Sequence, residues 1–175
     1  RKFCGGRSMS KIYVSTYRKY TTGSTKGEWL DLSHYASKDD FLAACAELHS
    51  DESDPELMFQ DWEEMPAQFV RESFIDEQVW AWLELSDEER ETVAIYLSDV
   101  NQDATIETAL GEYDGEHESE QDWARDFWDH TGMLRQIPQF AQNYIDYEQF
   151  ARDCQLGGEI VFVNKGPRVR AFRRS

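Results

Sequence analysis

Basic residues are nearly missing from the middle of this 175-residue chain. Between Lys38 and Asp129 only Lys38, Arg71, Arg90 and Arg125 carry positive charge, against 29 Asp or Glu, which leaves the segment at −25. With so few cations in reach, i,i+4 pairing along helices is largely unavailable and the carboxylates repel one another. The whole chain stands at −17, so the flanks are net positive by eight. Such polarisation bears on partners rather than on fold, and a cationic partner is the direct reason for it. The densest cationic surfaces in cells are those that grip nucleic acid.

Other shortages narrow the class. There are three cysteines, Cys4, Cys45 and Cys154, with no Cys-x-x-Cys, which fits a reducing cytoplasm better than a disulfide framework or a zinc ribbon. No run approaches the roughly 18 apolar residues of a membrane span. Arg1 to Ser10 has no hydrophobic stretch of the secretory kind, so Arg1 to Ser8 is expected to be an added or upstream segment. His34, His49, His117 and His130 lie far apart, with no His-Glu-x-x-His. Gly-x-Ser-x-Gly, Walker A and dinucleotide-binding glycine patterns are all missing. The expectation is a protein without catalytic residues, metal or cofactor.

What is present is aromatic. Six Trp, eight Tyr and ten Phe make 14% of the chain, too many for a disordered acidic tail. The chain folds, as one compact domain or two or three small ones. A mean hydropathy of −0.73 implies much surface for little interior, hence an elongated molecule with thin cores.

Alternation around Ile12, Val14 and Thr16, and around Trp29 and Asp31, predicts two strands joined by a long hairpin-like loop containing Gly23 and Gly27. Ser37 with Asp40 opens a helix carrying Phe41, Ala44, Cys45 and Leu48 on one stripe, and Glu56 to Trp62 reads as a third strand. After Pro66 helices take over. Val79, Trp80, Trp82, Leu83 and Leu85 form an apolar face, and Ser86-Asp87-Glu88-Glu89 is a strong helix start. Gly111 to Ser119 reads as a turn-rich acidic connection and a boundary. A further capped helix begins at Ser119 and stops at Gly132. Ile137 to Cys154 reads as helical with a break near Asp146. Ile160 to Val163 and Arg168 to Phe172 form a closing strand pair. The class is α+β.

Two carboxylate runs are the candidate partner-binding site: Glu84, Asp87, Glu88, Glu89 and Glu91, then Glu112, Asp114, Glu116, Glu118, Glu120, Asp122, Asp126 and Asp129. A charge run is ordinarily a solvated face. Here interleaved Trp, Tyr and Phe and the removal of basic residues to the chain ends weaken that reading. Lys165 to Arg174 carries five basic residues and no acid, which suits solubility or subunit contact. Duplex DNA carries one charge per roughly 1.7 Å of axis, so two copies of the −25 segment match about 85 Å of duplex. Asp99 to Leu110 matches an EF-hand loop in part, but Ala104 stands where a sharp turn needs Gly and Leu110 where calcium needs a bidentate Glu. A helix end followed by a capped helix start is the better reading there.

Several stretches resemble the ArdA antirestriction family. They are Ile12-Tyr-Val14, Lys19-Tyr20, Gly23-Ser24 and Trp29 to Leu32; then Phe41 to His49 and Asp54-Pro-Glu-Leu-Met-Phe-Gln-Asp61; and finally Thr131 to Leu134, Ile137-Pro138, Tyr144 to Tyr147, Phe150 to Asp153 and Phe172-Arg-Arg174. The likeness runs from about Ile12 to Arg174 and is densest at the two ends. It implies a DNA mimic from a conjugative plasmid or other mobile genetic element, acting in the bacterial cytoplasm. It also implies an elongated homodimer of three small domains per subunit: residues 9–72 (a three-stranded sheet plus helix), 73–112 (helical) and 113–175 (α+β, dimerising). Its partner would be a type I restriction–modification enzyme, met in the DNA-binding groove of the specificity and methyltransferase subunits. Catalysis, cofactor, direct nucleic-acid binding and membrane attachment are not implied. Tyr144, Asp146 and Tyr147 fall in the family's antirestriction-motif region, where dimer packing is the favoured role. An acidic chaperone or adaptor for a basic DNA-binding protein is the alternative.

Overall fold

A computed structural model of the chain describes residues 9–24 and 26–174, so the segment Arg1 to Ser8 lies outside the described residues. The described residues form eight α-helices and eight strands in three small antiparallel sheets, an α+β fold. Contacts divide the chain between Glu91 and Thr92 into two compact units.

In the first unit, β1 (Lys11–Thr16) is the middle strand of a sheet ordered β2-β1-β3, with β2 at Glu28–Asp31 and β3 at Leu57–Glu63. The alternation seen in sequence places Ile12, Val14 and Thr16 in the core, each fully buried. The expected loop after β1 is instead opened by a short helix, α1 (Tyr17–Thr21), because the Thr16 hydroxyl caps it by accepting from Lys19 N. Gly27 is required by close approach: a Cβ there would lie 2.6 Å from the Tyr13 ring.

Helix α2 (Lys38–Leu48), capped by Ser37, buries Phe41 and Cys45 against the sheet side chains. Burying a side chain the size of Phe41 stabilises by about 1.5–3 kcal/mol. A small hairpin, β4 (Val70–Arg71) and β5 (Phe74–Ile75), follows where only a break had been read at Pro66. Helix α3 (Gln78–Glu84) buries Val79 and Trp82. Helix α4 (Asp87–Asp99) begins in the first unit and ends in the second.

The second unit holds α5 (Ile106–Glu112), β6 (Tyr113–His117), α6 (Glu120–His130), α7 (Gln139–Gln142), α8 (Tyr147–Gly157), β7 (Ile160–Lys165) and β8 (Arg168–Arg173). Its sheet runs β6-β8-β7. Trp123, Ala124, Ala151, Cys154, Ile160, Phe162, Val169 and Ala171 are its core, with Phe127, Tyr147 and Phe150 packed against them. Helix α8 ends at Gly158, whose φ of +78° is the left-handed cap that glycine supplies without strain.

One expectation is corrected here. Gly111 to Ser119 contains an edge strand, β6, rather than only a connection. Its turn-like composition is accommodated by a register break between Tyr113 and Glu116, where Gly115 adopts φ +103°. The stretch from Ile137 to Cys154 is helical in α7 and α8 with the expected break, Asn143 to Asp146 lying outside both and Asp146 capping α8.

Candidate acidic interface

The first carboxylate run is built on two helix ends. Glu84 is the last residue of α3, and Asp87, Glu88 and Glu89 occupy the first turn of α4, with Glu91 following; all five are exposed. Carboxylates belong at this end of α4 because its unpaired N–H groups carry partial positive charge. Ser86 and Glu89 form a reciprocal cap: Glu89 N donates to Ser86 Oγ at 3.3 Å, and Ser86 N donates to Glu89 Oε2 at 2.8 Å. The Ser86 backbone N–H, and then its hydroxyl, hold the Glu89 carboxyl below the usual glutamate range.

The second run is divided by its partners. Glu112, at the end of α5, accepts from the Tyr96 hydroxyl. That tyrosine is pushed up to about 12, first by burial and then by this carboxylate. On β6, Asp114 accepts from Trp123 Nε1 and pairs with Arg173, both at 2.7 Å. Glu116 pairs with Arg170 at 3.1 Å and Arg168 at 3.2 Å, and Glu118 with Arg168 at 2.9 Å. The Arg170 and Arg168 guanidiniums, in that order, hold the Glu116 carboxyl below its ordinary value. On α6, Ser119 caps Asp122, which also pairs with Arg125 at 3.3 Å, and Asp126 lies 3.1 Å from His117 Nδ1. Among the described residues no cation pairs with Glu84, Asp87, Glu120 or Asp129.

The basic stretch Lys165 to Arg174 thus has a role that sequence reading missed. Arg168, Arg170 and Arg173 line β8 and neutralise the strand portion of the second run from within, while Lys165 pairs with Asp99 at 3.3 Å. A signal was present: Glu116 and Glu118 are spaced by two, as are Arg168 and Arg170, the spacing of same-face neighbours on paired strands. Nothing local joins the two segments, however, since Arg168 and Glu116 lie 52 positions apart.

The motif-region residues separate by role. Asp146 caps α8, its Oδ1 accepting from Gln149 N at 2.9 Å. Tyr147 is half-buried, edge-on to Trp128 at 6.2 Å and under the Arg125 guanidinium at 5.5 Å. Tyr144 is 85% exposed, and Phe140, four residues earlier on α7, is 78% exposed. The EF-hand-like stretch is a helix end and a capped start: Asp99 ends α4, Asn101 Oδ1 accepts from Asp103 N, and Thr105 caps α5. Among the described residues no group of three or more His, Cys, Asp or Glu could hold a metal ion. Among the same residues no helix is long and apolar enough to cross a membrane.

Fold and surface together define an acidic α+β protein many of whose carboxylates are set on serine-capped helices and on a cation-backed strand. The family model for antirestriction protein (ArdA) matches residues 12–169, and the chain belongs to that family. It is an antirestriction protein. Among curated proteins, no match was found.

Proposed function

We propose that the protein blocks type I restriction–modification enzymes by standing in for DNA, its carboxylates taking the place of backbone phosphates in the groove of the specificity and methyltransferase subunits. The observation that carries this reading is the placement of Glu84, Asp87, Glu120 and Asp129, none with a cationic partner among the described residues, on α3 and on the serine-capped helices α4 and α6. Counterion release drives such enzymes onto DNA, and an ordered polyanion draws on the same groove without presenting base edges. Indifference to target sequence follows. The protein acts in the bacterial cytoplasm without catalysis, cofactor or nucleic acid of its own, as a homodimer. The exposed Phe140 and Tyr144 supply apolar surface for the dimer contact.

The test is competition against a labelled duplex already bound to a type I methyltransferase, repeated across salt concentrations. Stoichiometric displacement that weakens as salt rises is the expected result. Failure to displace at low salt overturns the proposal and moves the adaptor reading, with a basic nucleoid protein as partner, to the front.

A further inference from the structure

The first unit carries a feature that no DNA phosphate possesses. Two adjoining hollows, of about 740 and 310 Å³, share Ala36 and Trp80. The larger is lined by Tyr35, half-buried Trp80, exposed Ala81 and Leu83. Trp80 is locked in place: its Nε1 donates to the Tyr35 carbonyl at 2.9 Å, and its ring lies 6.2 Å from that of Phe41. The rim is acidic, with Glu84 on the larger hollow and Asp39 and Glu77 on the smaller, all exposed. Among the described residues none of these three has a cationic partner; the basic side chains of the lining are His34 on the larger hollow and Lys38 on the smaller, whose ammonium lies 5.1 Å above the Phe74 ring. Glu84 belongs also to the first carboxylate run, so the trough opens onto the surface already assigned to the enzyme.

We propose that this trough receives an arginine side chain from the enzyme's DNA-binding groove, the guanidinium lying against Trp80 and paired with Glu84. The inference rests on the DNA-mimic reading and names one contact within it. Arginine fits better than lysine because its planar, weakly hydrated cation stacks on an aromatic face while pairing with a carboxylate. The same helix already holds an arginine against an indole two residues along, there bonded to backbone carbonyls. The Arg90 guanidinium sits 5.6 Å from the Trp82 ring centroid and donates to the carbonyls of Trp82 and Leu83. A partly desolvated aromatic–arginine contact is of the kind that dominates interfaces, whereas exposed charge pairs contribute little each. The trough therefore separates this protein from a generic polyanion.

The experiment compares Ala81→Arg, which places a cation in the lining of the trough, with Ala46→Arg, which adds the same charge on the exposed side of α2. Both enter helices that tolerate arginine. The readout is the concentration of full-length protein that displaces half the duplex from the methyltransferase, with melting temperature measured alongside. Ala81→Arg is expected to weaken displacement at least tenfold and Ala46→Arg less than about twofold. Should Ala81→Arg fail to fold, Glu84→Lys against Glu47→Lys makes the same comparison at two exposed positions. Equal losses in the paired variants overturn the trough while leaving the mimic reading intact. A wild-type protein that displaces no duplex removes both.

Discussion

At the scale of single residues, the buried polar cluster of the first unit sets a pH response distinct from that of the surface. Lys19 is only 8% exposed, its Nζ 2.7 Å from Asp51 Oδ1, 3.7 Å from Glu52 Oε1 and 2.8 Å from His49 Nδ1. Burial first, and then the Lys19 ammonium, hold His49 below the usual imidazole range. The unfolded chain therefore takes up a proton near pH 6.5 that the folded chain refuses. The stability associated with neutral His49 is complete above that pH and is lost as pH falls below it toward the lower folded value. Acidification also relieves repulsion among carboxylates, which acts in the opposite direction. The two are separated by melting wild type and His49→Asn, whose amide oxygen keeps an acceptor for Lys19, between pH 7.5 and 5. Wild type should lose melting temperature relative to the variant as pH falls; parallel curves would remove His49 as the cause.

At the scale of elements, β6 and β8 form the charge device of the second unit. Arg170, 8% exposed, is registered opposite Glu116, whereas Arg168 is half-exposed and holds the outward Glu118. These two arginines have different jobs. Arg170 belongs to the sheet, and Arg168 trims the negative surface. Arg168→Gln releases Glu118 and should strengthen displacement of DNA by about two- to fivefold, the size of one exposed charge pair, with little change in melting temperature. Weaker displacement by that variant would mean that Arg168 itself touches the enzyme. The capped helices α2, α4 and α6 were legible in sequence because Ser37, Ser86 and Ser119 act on residues three positions away. Strand β6 was not, because its pairing depends on a segment about fifty positions downstream and on a register break at Gly115.

For the whole molecule the question is whether inhibition is spread over many carboxylates or concentrated. Neutralising Asp87, Glu120 or Asp129 singly to Asn or Gln should change displacement by about twofold or less, whereas Glu84→Gln, which also removes the carboxylate of the trough, should cost more. All four together should weaken it more than tenfold and flatten its salt dependence, because each phosphate-like contact contributes to the slope. If one of the four singly abolished displacement, a compact hot spot would replace the distributed picture. The sequence alone determined the charge balance, the α+β class, the serine-capped helices and the resemblance that the family match bears out, because composition, capping and hydrophobic alternation act over a few residues. Tertiary structure alone decided which carboxylates are neutralised by Arg168, Arg170 and Arg173 and which stay open, and it alone brought Tyr35 and Trp80 together beneath an acidic rim. Those outcomes depend on contacts between distant segments, whose spacing in space no local pattern encodes.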